Sequence, residues 1–99
     1  MDYRQVVTEN RRIAILHILA GDPGYSVNDS VMQTALETIG HTASRDVIRG
    51  DFAWLAEQGL VRVDVVNAII HVARLTERGA EVEAGRATVP GVKRPSPHD

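Results

Sequence analysis

The stretch Leu60-Val61-Arg62-Val63-Asp64-Val65-Val66-Asn67-Ala68-Ile69-Ile70-His71-Val72-Ala73-Arg74-Leu75 decides how this chain folds. It is rich in β-branched residues and partly alternates between apolar and polar positions, as strands do. Two such runs meet at Asn67, a residue that tolerates turn backbone, so the stretch reads as a two-stranded hairpin. The tight turn holds Asn67 and takes in Val66 or Ala68. A lone hairpin is marginal in water and must pack on something else. Leu60, Val63, Val65, Ile70 and Val72 are the side chains expected to do so.

What flanks the hairpin is helical. On its N-terminal side, Ser44 caps a helix carrying Asp46 in the first turn, where the helix dipole favours an anion. Turning about 100° per residue puts Ile48, Phe52 and Leu55 on its inner face, and Gly59 ends it. Before that, Ser26 reads as a cap with Asp29 three positions on, followed by an apolar stripe of Val27, Val31, Met32, Ala35, Leu36 and Ile39. Gly40 closes that helix. A first helix spans Tyr3 to Ala20, with Tyr3, Val6, Val7, Ile13, Ile15, Leu16 and Leu19 as its apolar positions, and Gly21-Asp22-Pro23-Gly24 stops it. Arg4, Arg11 and Arg12 read as its solvated face, with phosphate contact as the alternative. After the hairpin, Thr76 caps a short helix running to about Ala84. Three helices, a hairpin and a helix are the order of a winged helix-turn-helix domain of the α+β class: a three-helix core, a two-stranded wing and a short C-terminal helix. The domain is expected over residues 1–86. Residues 87–99, with Pro90, Pro95 and Pro97, are expected to form an extended or disordered tail.

Composition excludes several function classes. The chain has 99 residues, room for one domain. Without cysteine it has no disulfide, thiolate ligand or thiol nucleophile. His17, His41, His71 and His98 show no paired ligand spacing, so neither a metal nor another cofactor is expected. No phosphate loop, nucleophile elbow or carboxylate pair marks an enzyme. No run approaches the about 20 apolar residues of a membrane span, and the start Met1-Asp2-Tyr3-Arg4 is no signal peptide, so the expected location is the cytoplasm.

Chemistry that addresses nucleic acid is concentrated in the third helix and the hairpin. Arg45 and Arg49 lie on an exposed flank of the helix, suited to guanine or phosphate, and Ser44 can meet a phosphate at the helix start. Gly50 admits either close backbone approach to DNA or a partner, or merely loose packing. Arg62, His71 and Arg74 add to the surface from the wing. The rival reading pairs Arg45 and Arg49 with Asp46 or Glu57 on a plain solvated face. Trp54 falls on a second stripe, for core or wing packing or else a dimer contact. Net charge is −2, and residues 41–58 sum to −1 by their own side chains, which argues against tight, sequence-blind binding of DNA.

Two motifs carry a resemblance. Ser44-Arg45-Asp46-Val47-Ile48-Arg49-Gly50-Asp51-Phe52-Ala53-Trp54-Leu55-Ala56-Glu57-Gln58-Gly59-Leu60-Val61 resembles the recognition helix of bacterial winged-helix regulators, and Leu75-Thr76-Glu77-Arg78-Gly79 their strand-to-helix junction. Position 50 departs from that pattern, being glycine where a basic residue is common. With Asp22-Pro23-Gly24-Tyr25-Ser26 and the tail Gly85 to Pro97, the chain also resembles a small protein family of Mu-like phages and prophages, described as helix-turn-helix proteins of the ArsR type. That resemblance implies a prophage origin and a place in the late programme of DNA packaging and head assembly. The function expected is binding of double-stranded DNA as a regulator or accessory factor. The alternative is a module that binds a packaging or head protein and never meets DNA, for which the dibasic Lys93-Arg94 in the tail offers a docking point. Monomer and homodimer are both open.

Overall fold

Side-chain caps set where the helices start. In the computed structural model, which describes residues 2–96, the Asp2 carboxylate accepts from the Gln5 N–H and α1 runs over Tyr3–Gly21. The Asn28 side chain accepts from Val31 N–H to open α2, Asp29–Thr38. Ser44 accepts from Val47 N–H to open α3, Arg45–Glu57, and Thr76 from Gly79 N–H to open α4, Glu77–Glu83. Each cap satisfies a backbone donor that has no partner within the helix. The caps expected at Ser44 and Thr76 are therefore in place.

Ser26 is not a cap. It begins a short strand, β1 (Ser26–Asn28), and the capping role passes to Asn28. The hairpin supplies β2, Val61–Val66, and β3, Ile70–Leu75. The sheet is antiparallel in the order β1-β3-β2, so the expected two-stranded wing is the outer part of a three-stranded sheet. Ser26 lies opposite Arg74 and Asn28 opposite Val72. A three-residue strand has no periodicity of its own, and this one is defined only by its partner more than forty residues on. At the hairpin tip, Asn67 and Ala68 both have positive φ (52° and 62°), and Ile69 N–H closes onto Val66 O. Positive φ at both central residues matches the right-handed twist of paired strands.

The core is built from one face of each helix and one face of the sheet. Ile15, Leu16, Leu19, Met32, Leu36, Ile48, Phe52, Leu55 and Leu60 are inaccessible to solvent, joined by Val27, Val61 and Ala73 from the strands. Strand alternation then sends Arg62, Asp64, Val66, Ile70, Val72 and Arg74 to the outer face. Of the side chains expected to seat the hairpin, Leu60 is buried and Val63 half-buried, but Val65 is 53% exposed and Ile70 37%. Beyond residue 63 the apolar core no longer covers β2, so even its inward-facing Val65 meets solvent.

Of the α1 arginines expected as a solvated face, Arg4 is exposed but Arg11 and Arg12 are not. Arg11 is buried and pairs with the buried Asp51 of α3, its Nε to Oδ2 and its Nη2 to Oδ1 at 3.3 Å. Arg12 lies over the Trp54 ring, 3.8 Å from its centroid, and donates from Nη1 to Gly91 O at 3.0 Å. Trp54 thus packs toward α1 and the C-terminal segment rather than toward the wing. After Gly85 the described residues hold no helix or strand, yet Val89 and Val92 are buried in the core and Lys93 N–H donates to Glu9 O. This segment, expected as an extended or disordered tail, is packed against α1 over those residues. Pro97 and His98, counted with it, lie outside the described residues.

Candidate functional site

α3 presents its N-terminal half to solvent. Ser44, Arg45, Asp46, Val47, Gly50 and Ala53 are exposed, and a Cβ added at Gly50 would meet nothing within 4 Å. The Ser44 hydroxyl is occupied as the helix cap. Arg45 reaches back to α2, with Nη2 3.3 Å from Gln33 Oε1 at the exposed surface. The Gln33 amide in turn donates to Ala43 O, so this glutamine braces the turn between the two helices.

Arg49 is engaged quite differently from Arg45. Its Nε donates to Asp29 Oδ2 at 2.7 Å and its Nη2 to Ile69 O at 2.6 Å. The expected partners Asp46 and Glu57 are both passed over for a carboxylate twenty residues upstream. Asp29 is buried, at the first turn of α2, accepts from the Ser30 N–H at 2.9 Å and faces the backbone N–H of His71. One carboxylate therefore ties α2 to α3 and to the wing. Burial alone would push its pKa up. The hydrogen bond and charge of Arg49, with the two backbone donors, outweigh this and hold it below the ordinary 3.8.

That direction fixes a pH dependence. On acidification the unfolded chain takes up this proton before the folded one does. The stability that Asp29 contributes is complete above pH 3.8 and is lost as pH falls through the lower folded value. Urea unfolding followed between pH 7 and pH 2.5 is expected to show the wild type losing more stability below pH 4 than Asp29→Asn does. Parallel curves for the two proteins would refute the assignment.

The remaining wing residues separate. His71 lies on the core-facing side of β3, half-buried, with its backbone N–H toward the Asp29 carboxylate. Arg62 and Arg74 stand directly opposite one another on the outer sheet face, both exposed. The structure thus joins Ser44, Arg45, Arg49 and Gly50 on one helix, fixes His71 behind them, and sets Arg62 and Arg74 apart. Sequence reasoning missed Asp29 as the partner of Arg49, because only the fold brings residues 29, 49 and 69 together. It also missed the apolar character of the wing tip, where Val66 and Ile69 are 44% and 66% exposed. His17 pairs with Glu83, Nδ1 to Oε1 2.9 Å, linking α1 to α4. Among the described residues no group of three His, Asp or Glu side chains is placed to hold a metal ion, and no helix is long and apolar enough to cross a membrane.

The chain is 48% identical over 92 residues to the uncharacterized protein gp26 of Escherichia phage Mu, an alignment covering 93% of this chain and 94% of that one. It is 33% identical over 78 residues to an uncharacterized protein of Haemophilus influenzae, covering 79% and 76%. No protein-family model matches. Among solved structures, a MarR-family transcriptional regulator of Streptomyces coelicolor, Sco3205, crystallised in complex with DNA, superposes with a TM-score of 0.59 at 24% identity over 89% of this chain. The chain spans about half (55%) of that regulator. The winged-helix fold is thereby shown, with the solved likeness in the MarR group rather than the ArsR type that the sequence resemblance implied.

Proposed function

Because the chain belongs to the family of the phage Mu protein gp26, we propose that it is a small prophage-derived winged-helix protein that binds double-stranded DNA, as a regulator or accessory factor of the late phage programme. The observation that carries this reading is the Asp29–Arg49–Ile69 connection. It locks the wing to α3 and α2, so that helix and hairpin offer one preformed surface with Arg45 and the open backbone at Gly50 foremost. The S. coelicolor regulator of the same fold was crystallised with DNA, which supports the reading. In it, α3 lies in a major groove, Arg45 contacts base or phosphate, and Ser44 and Arg49 position the helix and wing rather than reading sequence.

Electrostatics keep this binding weak in the absence of the right sequence. Asp51 and Asp29 are neutralised inside the protein, which leaves exposed Arg45 next to exposed Asp46, with exposed Glu57 at the far end of the helix. Each phosphate neutralised contributes about −0.9 to the slope of log affinity against log salt. A slope of about −2 to −4 is expected, far shallower than that of a protein holding many phosphates. Fluorescence anisotropy on fragments of the host prophage, across a salt series, tests this. Arg45→Ala is expected to weaken binding by about tenfold and flatten the slope by about one. No binding to any fragment at low salt, or unchanged binding by Arg45→Ala, would overturn the proposal.

A second reading is favoured by the wing tip. Val65, Val66, Asn67, Ala68, Ile69 and Ile70 carry no charge and are exposed, whereas a tip that tracks a phosphate backbone gains from cations. In this reading the wing docks on a packaging or head-assembly protein. Retention of DNA affinity in Ile69→Ser together with loss of an assembly partner would favour it.

A further inference from the structure

The register of the sheet sets Arg62 of β2 directly across from Arg74 of β3 on the outer face. Like charges in directly opposed positions repel and destabilise a strand pair. Among the described residues neither guanidinium has a hydrogen bond or an ion pair. Arg78 from α4 is held nearby, its Nε donating to Gln58 O at 3.0 Å and its stem lying against Gly59. That fixes the guanidinium while leaving its terminal nitrogens unused. The three arginines line one open cleft of about 630 Å³ between the C-terminal end of α3, the base of the wing and the start of α4. Glu77 shares this lining, and Asp64 lies diagonally from Arg74 on the same sheet face, but neither forms an ion pair with the three.

We infer that Arg62, Arg74 and Arg78 form a binding site for a phosphate group. A doubly charged oxyanion between the two opposed guanidiniums turns their repulsion into a bridge, and planar guanidinium forks suit phosphate oxygens. Three cations against the two carboxylates of Glu77 and Asp64 leave a positive excess for an anion to cancel. The site lies at the far end of α3 from Ser44 and Arg45, about 18 Å along a helix of this length, so it is separate from the surface proposed for base contact. The phosphate belongs either to a free phosphorylated small molecule or to a nucleic-acid backbone passing the base of the wing.

Inorganic pyrophosphate, titrated into the full chain at constant chloride ionic strength and followed by amide ¹H–¹⁵N shifts, tests the site. Saturable shifts centred on residues 59–62 and 74–78 are expected, with affinity at least about tenfold weaker in Arg74→Gln. Without pyrophosphate, Arg74→Gln is expected to keep or raise the thermal midpoint, because it removes a repulsion. Shifts scattered over the surface, equal affinity in the variant, or a lowered midpoint of the anion-free variant would each overturn the inference. A duplex DNA arm separates the two sources. If duplex displaces pyrophosphate and Arg74→Gln weakens both, the phosphate is the backbone's. If pyrophosphate still binds the duplex-bound protein, the ligand is a free phosphorylated molecule. Arg45→Ala affects only the duplex arm, so failure of the DNA reading is distinguishable from failure of this site.

Discussion

Gly79→Ala is expected to destabilise the domain by about 3–5 kcal/mol, a large part of the about 5–15 kcal/mol that holds a chain of this kind together. Gly79 is buried in the first turn of α4. A Cβ there would penetrate the carbonyl oxygen of Leu60 and stand 2.7 Å from Leu75 Cδ1. The carbonyl cannot simply move. It accepts the Thr76 N–H at 3.1 Å, while the Thr76 hydroxyl donates to Gly59 O at 2.7 Å and accepts from Gly79 N–H at 3.0 Å. Pushing α4 away breaks this junction between the end of α3, the sheet and α4, including the helix cap, which by itself stabilises by about 1 kcal/mol. Leu75→Ala in the same chain relieves only the side-chain clash, so the double variant should remain destabilised. Urea unfolding checks both, and an unfolding free energy within about 0.5 kcal/mol of the wild type would refute the packing argument. Gly50 is the internal contrast. It too is helical, but nothing surrounds it, so Gly50→Ala is expected to stabilise by about 1 kcal/mol.

The same residues show what a sequence discloses and what it withholds. Leu75-Thr76-Glu77-Arg78-Gly79 was legible as a strand-to-helix junction because a cap and a helix start are local events, and the caps at Ser44 and Thr76 followed from the same logic. The turn at Asn67 was legible for a similar reason. Strand β1 was not, because Ser26 and Asp29 mimic a capping box while the real cap, Asn28, lies between them. Only pairing with β3 reveals a strand. The arginines failed for a related reason. Arg11, Arg12 and Arg49 occupy polar positions of amphipathic helices, and a pattern cannot distinguish a guanidinium facing water from one facing a buried carboxylate forty or twenty residues away. Of the candidate site, the helix was legible and the surface was not. Arg45 remains exposed, Arg49 serves the fold, and Arg62 and Arg74 belong to a different cleft.

Asp51→Asn is expected to cost about 3–5 kcal/mol, because it leaves Arg11 buried without its anion. Arg11 and Asp51 are both almost inaccessible and doubly hydrogen-bonded. Arg12 Nε stands 3.6 Å from Asp51 Oδ1, too long for a hydrogen bond, and has no other partner among the described residues. Asp51 therefore holds Arg12 by charge alone, and Arg12 in turn lies over Trp54 and grips Gly91. Loss of the carboxylate should loosen both ends of this chain: α1 from α3, and the C-terminal segment from Trp54. The single tryptophan reports the second event directly, so Asp51→Asn should show red-shifted emission even at temperatures where circular dichroism still reads as folded. Replacing both partners, Arg11→Met with Asp51→Leu, removes two buried charges together and is expected to recover most of the stability, as apolar replacement of buried pairs often does. A double variant as unstable as the two single variants summed would mean no coupling between them, and the buried pair would then not be what joins α1 to the helix that carries the site.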